Sequence, residues 1–67
     1  MKIEMHFLPE PGNSGPNIYP NVLLREDQAG LIPLVGDTIE ANHISSKVVE
    51  RRFSFTPEAV LVTIVWG

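Results

Sequence analysis

The stretch VLVTIVW, residues 60–66, decides the fold. Five of its residues, Val60, Val62, Thr63, Ile64 and Val65, are branched at Cβ, and such side chains are stiff in a helix but sit well on a pleated, extended backbone. Successive side chains of a strand point to opposite faces. Here both alternate sets are largely apolar, Val60, Val62, Ile64 and Trp66 on one side and Leu61, Thr63 and Val65 on the other. A strand with two apolar faces belongs in the middle of a sheet or is covered from both sides. The remaining question is what lies beside it.

Working backwards, TPEA at 56–59 reads as a turn, with Pro57 at a position that suits its fixed φ. KVVERRFSF at 47–55 predicts a strand. Its set Val49, Arg51, Phe53 and Phe55 alternates with Val48, Glu50, Arg52 and Ser54, and the more apolar set is expected to face inward, Arg51 reaching past the edge of the core. NHISS at 42–46 is turn-like. Residues 37–41 predict a further strand with Ile39 and Ala41 on one face. Just before it, Pro33 pushes Ile32 towards an extended conformation, Gly36 permits a bulge or a positive φ, and Asp37 is placed to hydrogen-bond nearby amides. Gly36-Asp37-Thr38 thus has a structural job. The rival readings fail on chemistry: an aspartic-protease site needs two carboxylates sharing a proton, and a single glycine makes no phosphate cradle.

In the first half, KIEMHFL at 2–8 alternates Ile3, Met5 and Phe7 against Lys2, Glu4 and His6, the pattern of a half-buried strand. Residues 9–21 hold four of the six prolines and two of the five glycines, which predicts a long loop. Loops of that length in compact domains are functional or mobile. Ile18 and Tyr19 are its large apolar side chains and are expected to pin its far end. VLLR at 22–25 reads equally as a buried strand or a helical turn, and REDQAG at 25–30 as a turn or a frayed helical turn.

Sixty-seven residues bound the answer to one domain, 1–67, with the 9–21 loop inside it. With 43% hydrophobic and 19% charged residues the composition is globular, and the absence of cysteine excludes disulfides and thiolate metal sites. Small cores yield only about 3–5 kcal/mol, so association would help such a chain. No run approaches the roughly 20 apolar residues of a membrane span, and the first residues lack the apolar run of a signal peptide, so the expected location is the cytoplasm. A net charge of −3 counts against a general phosphate-binding surface.

Together these readings predict an all-β fold of four to five strands, a small, partly open β-barrel or a curled antiparallel meander with a long Pro/Gly loop after its first strand. The pattern Ile32-Pro33-x-x-Gly36-Asp37-x-Ile39, then Val48-Val49-x-Arg51-x-Phe53, then Val60-x-Val62-x-Ile64 resembles that of small SH3-like β-barrels over residues 31–67. That group includes many short proteins of bacteria and their phages. The resemblance implies a fold and brings no catalytic residue with it; the absence of a catalytic constellation and the apolar surface in excess of one small core lead to the expectation of an accessory or assembly protein, of phage or mobile-element origin.

Candidate chemistry is sparse. His6 and His43, with Glu4 or Glu40, would have to converge to hold a metal ion, and two distant histidines without cysteine more often cap or face solvent. Ser45, Ser46 and His43 lack the pattern of an activated nucleophile. Lys47, Arg51 and Arg52 form a basic cluster beside Phe53 and Phe55, which would stack on unpaired bases, although Glu50 sits among them and cross-strand pairing with Glu40 or Glu58 explains the charges as ordinary sheet-surface pairs. Trp66 caps the barrel or anchors a partner. The expectation is therefore a non-enzymatic protein without cofactor, metal or small-molecule substrate. It acts through contact with a protein partner or with itself, with Ile18, Tyr19 and Trp66 as contact residues; the alternative is a single-stranded nucleic-acid module using Lys47, Arg51 and Arg52.

Overall fold

A computed structural model describes residues 2–12 and 16–67 of the chain. The elements are β1 (Lys2–Pro9), β2 (Val22–Leu24), a 3₁₀ turn (Glu26–Leu31), β3 (Thr38–Ala41), β4 (Ile44–Phe55) and β5 (Ala59–Trp66). They form one mixed sheet in the order β2-β1-β5-β4-β3, curled into a half-barrel. The all-β, partly open architecture expected from the sequence is what the chain adopts. Neighbouring pairs are antiparallel with one exception: β1 and β5, at the centre, run parallel from Lys2↔Ala59 to Pro9↔Trp66. The connectivity is thus a crossover rather than a meander.

The apolar β5 sits where its two faces require, between β1 and β4, and Val62 and Ile64 are completely buried. On the concave face the register lines up Leu24, Ile3, Val60 and Phe55 in one row and Val22, Met5, Val62 and Phe53 in the next. Ile3, Met5, Leu24, Val48, Val62 and Ile64 make the core, with Phe7, Ile32 and Ile39 packed against it. The segment 22–25, open between strand and helix from the sequence, is a strand because Val22 and Leu24 complete these rows beside Met5 and Ile3. The following REDQAG residues wind into 3₁₀ turns, with Gln28 Oε1 accepting from the Arg25 amide at 3.0 Å. None of its residues is buried, so no apolar stripe extends it into a longer helix.

The turns explain the most site-like residues of the sequence. The Asp37 amide donates to the Leu34 carbonyl at 2.9 Å, and Asp37 Oδ2 accepts from the Leu34 amide at 2.8 Å. Gly36, at φ 95°, supplies the positive angle that a tight turn of type II demands at its third residue. Residues 42–46 are not all turn. Only Asn42 and His43 connect the strands, both at positive φ, as two-residue hairpins of type I′ require, and Ile44 already pairs with Ala41. His43 is therefore a hairpin residue, and Ser45 and Ser46 lie in β4.

The inward set of β4 also differs from the expected one. Val48 is 1% exposed and Val49 42%, because the register shifts between Val48 and Glu50. A bulge places an extra residue, Val49, opposite the partner strand and exchanges the faces beyond it. Val48 precedes the bulge on the concave side; Arg51, Phe53 and Phe55 follow it on that same side.

Two outcomes check this account. Ile64→Ala should cost about 2–5 kcal/mol in chemical denaturation, the range for emptying a filled core site. Gly36→Ala should cost about 1–2 kcal/mol, through backbone strain alone, since a Cβ there meets no atom within 4 Å.

Candidate functional site

Tyr19 organises the concave surface. Its ring lies 5.2 Å from Phe7 and meets Trp66 edge-on at 5.1 Å. Its hydroxyl donates to Ser46 Oγ at 3.0 Å and lies 3.4 Å from the Ile39 carbonyl oxygen. The loop reaches this position because Asn17 Nδ2 donates to the Phe7 carbonyl at 2.6 Å, while Asn17 Oδ1 accepts from the Tyr19 amide. The pinning role expected of Tyr19 is met. Tyr19 and Trp66 are each only 6% exposed, with their rings in contact, and so offer little surface for the partner contact expected of them. Ile18 keeps part of its surface. Trp66 is a buried plug, with its indole N–H lacking a hydrogen-bond partner among the described residues.

Between Tyr19 and β3 the half-barrel leaves an open groove of about 610 Å³, lined by Met5, Phe7, Tyr19, Ile32 and Ile39 with Asp37 and Glu40 at its rim. No pair of these groups forms a nucleophile and base. The metal candidates are dispersed: Glu4 and His6 lie on the convex side of β1, Glu40 on edge strand β3 and His43 in its hairpin. Among the described residues no three His, Asp or Glu side chains cluster closely enough for an ion. Nor, among them, is any helix long and apolar enough to cross a membrane.

The basic cluster is divided by the sheet. Arg52 is opposite Thr63 and Lys47 opposite Thr38, on the convex side, whereas Arg51 is opposite Ile64 on the concave side. Arg52 is bridged along its own strand by Glu50 rather than across strands by Glu40 or Glu58. The Arg52 hydrogen bond, opposed by slight desolvation and aided by the guanidinium charge, holds the Glu50 carboxyl below its usual range. Arg51 instead lays its guanidinium 5.0 Å from the centroid of the Phe53 ring. Phe53 and Phe55 stack at 6.5 Å and stay 42% and 75% exposed.

This aromatic pair sits on the free half of β4. β3 pairs only with Ile44–Lys47, and Gly36 and Asp37 bond to Val48. Beyond that point no described strand lies on this side of β4. Sequence reasoning assigned both phenylalanines to the core. The signal against it was length: β4 has 12 residues and β3 only 4, so most of β4 extends past its neighbour.

The convex face of β5 carries Leu61, Thr63 and Val65. Of the described residues in 9–25, Val22–Leu24 extend the sheet beside β1 and Tyr19 packs on the concave side, so neither covers it. Leu61 lies between Glu4 and Ser54, Thr63 between His6 and Arg52, and Val65 between Leu8 and Glu50. Val65 is 3% exposed, whereas its neighbour Leu8 keeps 46% of its surface.

Compared with protein families, with curated proteins and with solved structures, the chain has no match.

Tyr19→Phe should cost about 1–3 kcal/mol by leaving the buried Ser46 hydroxyl without that partner, and adding Ser46→Ala should recover much of it. The Glu50 carboxyl, lowered in the folded state, stabilises above its unfolded pKa, and that contribution disappears as pH falls through the folded pKa. Denaturation of wild type and Glu50→Gln should accordingly differ near neutrality and converge in acid.

Proposed function

We propose that this protein is a non-enzymatic binding module of the cytoplasm that works by protein–protein contact, as an accessory or assembly subunit. One observation carries the reading: Phe53 and Phe55, with Arg51 against them, stand exposed on a strand edge that is unpaired among the described residues. Aromatic and arginine side chains dominate the energetics of protein interfaces, and a bare strand edge offers a row of backbone donors and acceptors beside them. In a chain of this size two exposed phenylalanines reduce the burial available for folding, which is the opposite of what stability alone would select. The lack of cysteine suits a reducing compartment.

Single-stranded nucleic acid is the second reading. It is favoured by the same stacked rings, which would serve as a platform for bases, with Arg51 alone beside them. The net charge of −3 and the position of Lys47 and Arg52 on the other face count against it.

A Phe53→Ser, Phe55→Ser double variant should keep the dichroism spectrum and cooperative melting of wild type. It should lose a protein partner by at least about tenfold in affinity, or about 1.4 kcal/mol. Unchanged partner binding in the folded variant would defeat the reading. Salt-dependent binding of an unpaired oligonucleotide, lost with Arg51→Ala, would favour nucleic acid instead.

A further inference from the structure

We infer that the free half of β4 pairs antiparallel with the same segment of a second copy of this chain, across a two-fold axis through Phe53. The inference rests on the contact reading above and names the partner.

The direction of the backbone groups comes first. The Thr56 amide bonds to Ala59 inside the β4–β5 hairpin, and Lys47 exchanges both of its bonds with Gly67 of the β5 side. Bonding direction alternates along an antiparallel strand. Counting back from Thr56, and forward from Lys47 through the bulge at Val49, Arg51, Phe53 and Phe55 turn their N–H and C=O groups to the open edge. Val48, which bonds to Gly36 and Asp37 on that side, agrees with the count. The edge therefore presents paired donors and acceptors with a regular spacing, and carries on the concave side only Arg51, Phe53 and Phe55.

The choice of occupant comes from register. A two-fold pairing that preserves the faces must place a residue of β4 opposite itself. Centring on Arg51 sets two guanidinium groups face to face and carries the copy into the position held by β3 beside Lys47. Centring on Arg52 opposes two arginines and draws the bulged Val49 into the ladder. Centring on Ser54 opposes Glu50 to Glu58 and brings Pro57 into the paired run. Centring on Phe53 avoids all of these. Phe53 faces its copy, Arg51 faces Phe55 in both directions, Arg52 faces Ser54 and Glu50 faces Thr56. The copy then ends beside Val49, where the lead-in to β3 begins. Like charges directly opposite are destabilising, whereas aromatic pairs and arginine over an aromatic ring are favourable. Each of the facing pairs centred on Phe53 or joining Arg51 to Phe55 exchanges two backbone hydrogen bonds. The exposed phenylalanines of both copies become one continuous aromatic row, and the interface is isologous and closed.

Sedimentation equilibrium of the full chain over rising concentration gives the first test. A species of twice the 7.4 kDa chain mass is expected. Phe53→Pro removes an outward amide, leaves the β5 ladder intact, and should return the mass to that of one chain without loss of the strand dichroism. The register is read separately, because the wild-type chain has no cysteine. Arg52→Cys mixed with Ser54→Cys should give a disulfide-linked mixed dimer on the order of tenfold faster than either variant links to itself, since only the mixed pair lies opposite at bridging distance. A single-chain mass at every concentration, or self-linking of either variant as fast as mixed linking, overturns the proposal. A single-chain mass leaves the contact reading intact; that reading fails only if the phenylalanine double variant binds its partner as wild type does.

Discussion

The parallel ladder between β1 and β5 is the constraint from which the rest of this structure follows. Two adjacent parallel strands cannot be joined by a tight turn and need a long crossover. Here nearly everything else in the chain is that crossover. β2, the 3₁₀ turn, β3 and β4 lie between the two central strands in sequence and are laid out on either side of them in space. Because β1 and β5 are both flanked, their concave side chains, Ile3, Met5, Val62 and Ile64, can be buried almost completely in a chain of only 67 residues. The curl that makes a half-barrel then lets Tyr19 reach from the loop after β1 to Ser46 on β4, linking the two sides of the sheet over Trp66.

The bulge at Val49 divides the protein into a stabilising part and an exposed part. Before it, β4 pairs with β3 from Ile44 to Lys47, is held on both sides at Lys47 and Val48, and contributes Val48 to the core. After it, β4 is bonded only to β5, and its concave residues have progressively less above them, from Arg51 to Phe55. Bulges bend a strand and increase its twist. The same irregularity therefore ends the partnership with β3 and aims the aromatic pair away from the core. The concave groove and this edge are separate surfaces: the groove is bounded by Tyr19 and β3, the edge by the end of β4.

What the sequence disclosed depended on how locally each feature is determined. β5 was legible because β-branched residues on both faces allow one position in a sheet, and β1 because Ile3, Met5 and Phe7 alternate without interruption. The Gly36-Asp37 turn was legible because glycine and aspartate act within four residues of themselves. The strand identity of 22–24 was not, since Val22 and Leu24 are strands only by virtue of Met5 and Ile3 across the ladder. The parallel pairing was hidden for a similar reason: nothing in a strand's own pattern states the direction of a neighbour more than fifty positions away. The bulge was missed because Val48 and Val49 are identical side chains, and alternation read through them assigns the wrong one inward. That error did not disturb the assignment of Phe53 to the concave side; the phenylalanines are uncovered because β4 outruns β3, and the alternation within β4 carries no sign of that. The basic cluster failed as a single face for the simplest reason, that Arg51 and Arg52 are adjacent in a strand.

The central parallel ladder also has a consequence for biosynthesis. β1 receives β2 early, but its other neighbour, β5, is synthesised more than fifty residues later. Until β5 is released, Ile3, Met5 and Phe7 belong to a two-stranded fragment, and such hairpins are marginal in water. The cooperative unit therefore forms only once β5 is available, in a late step that docks the β3-β4-β5 segment onto β1.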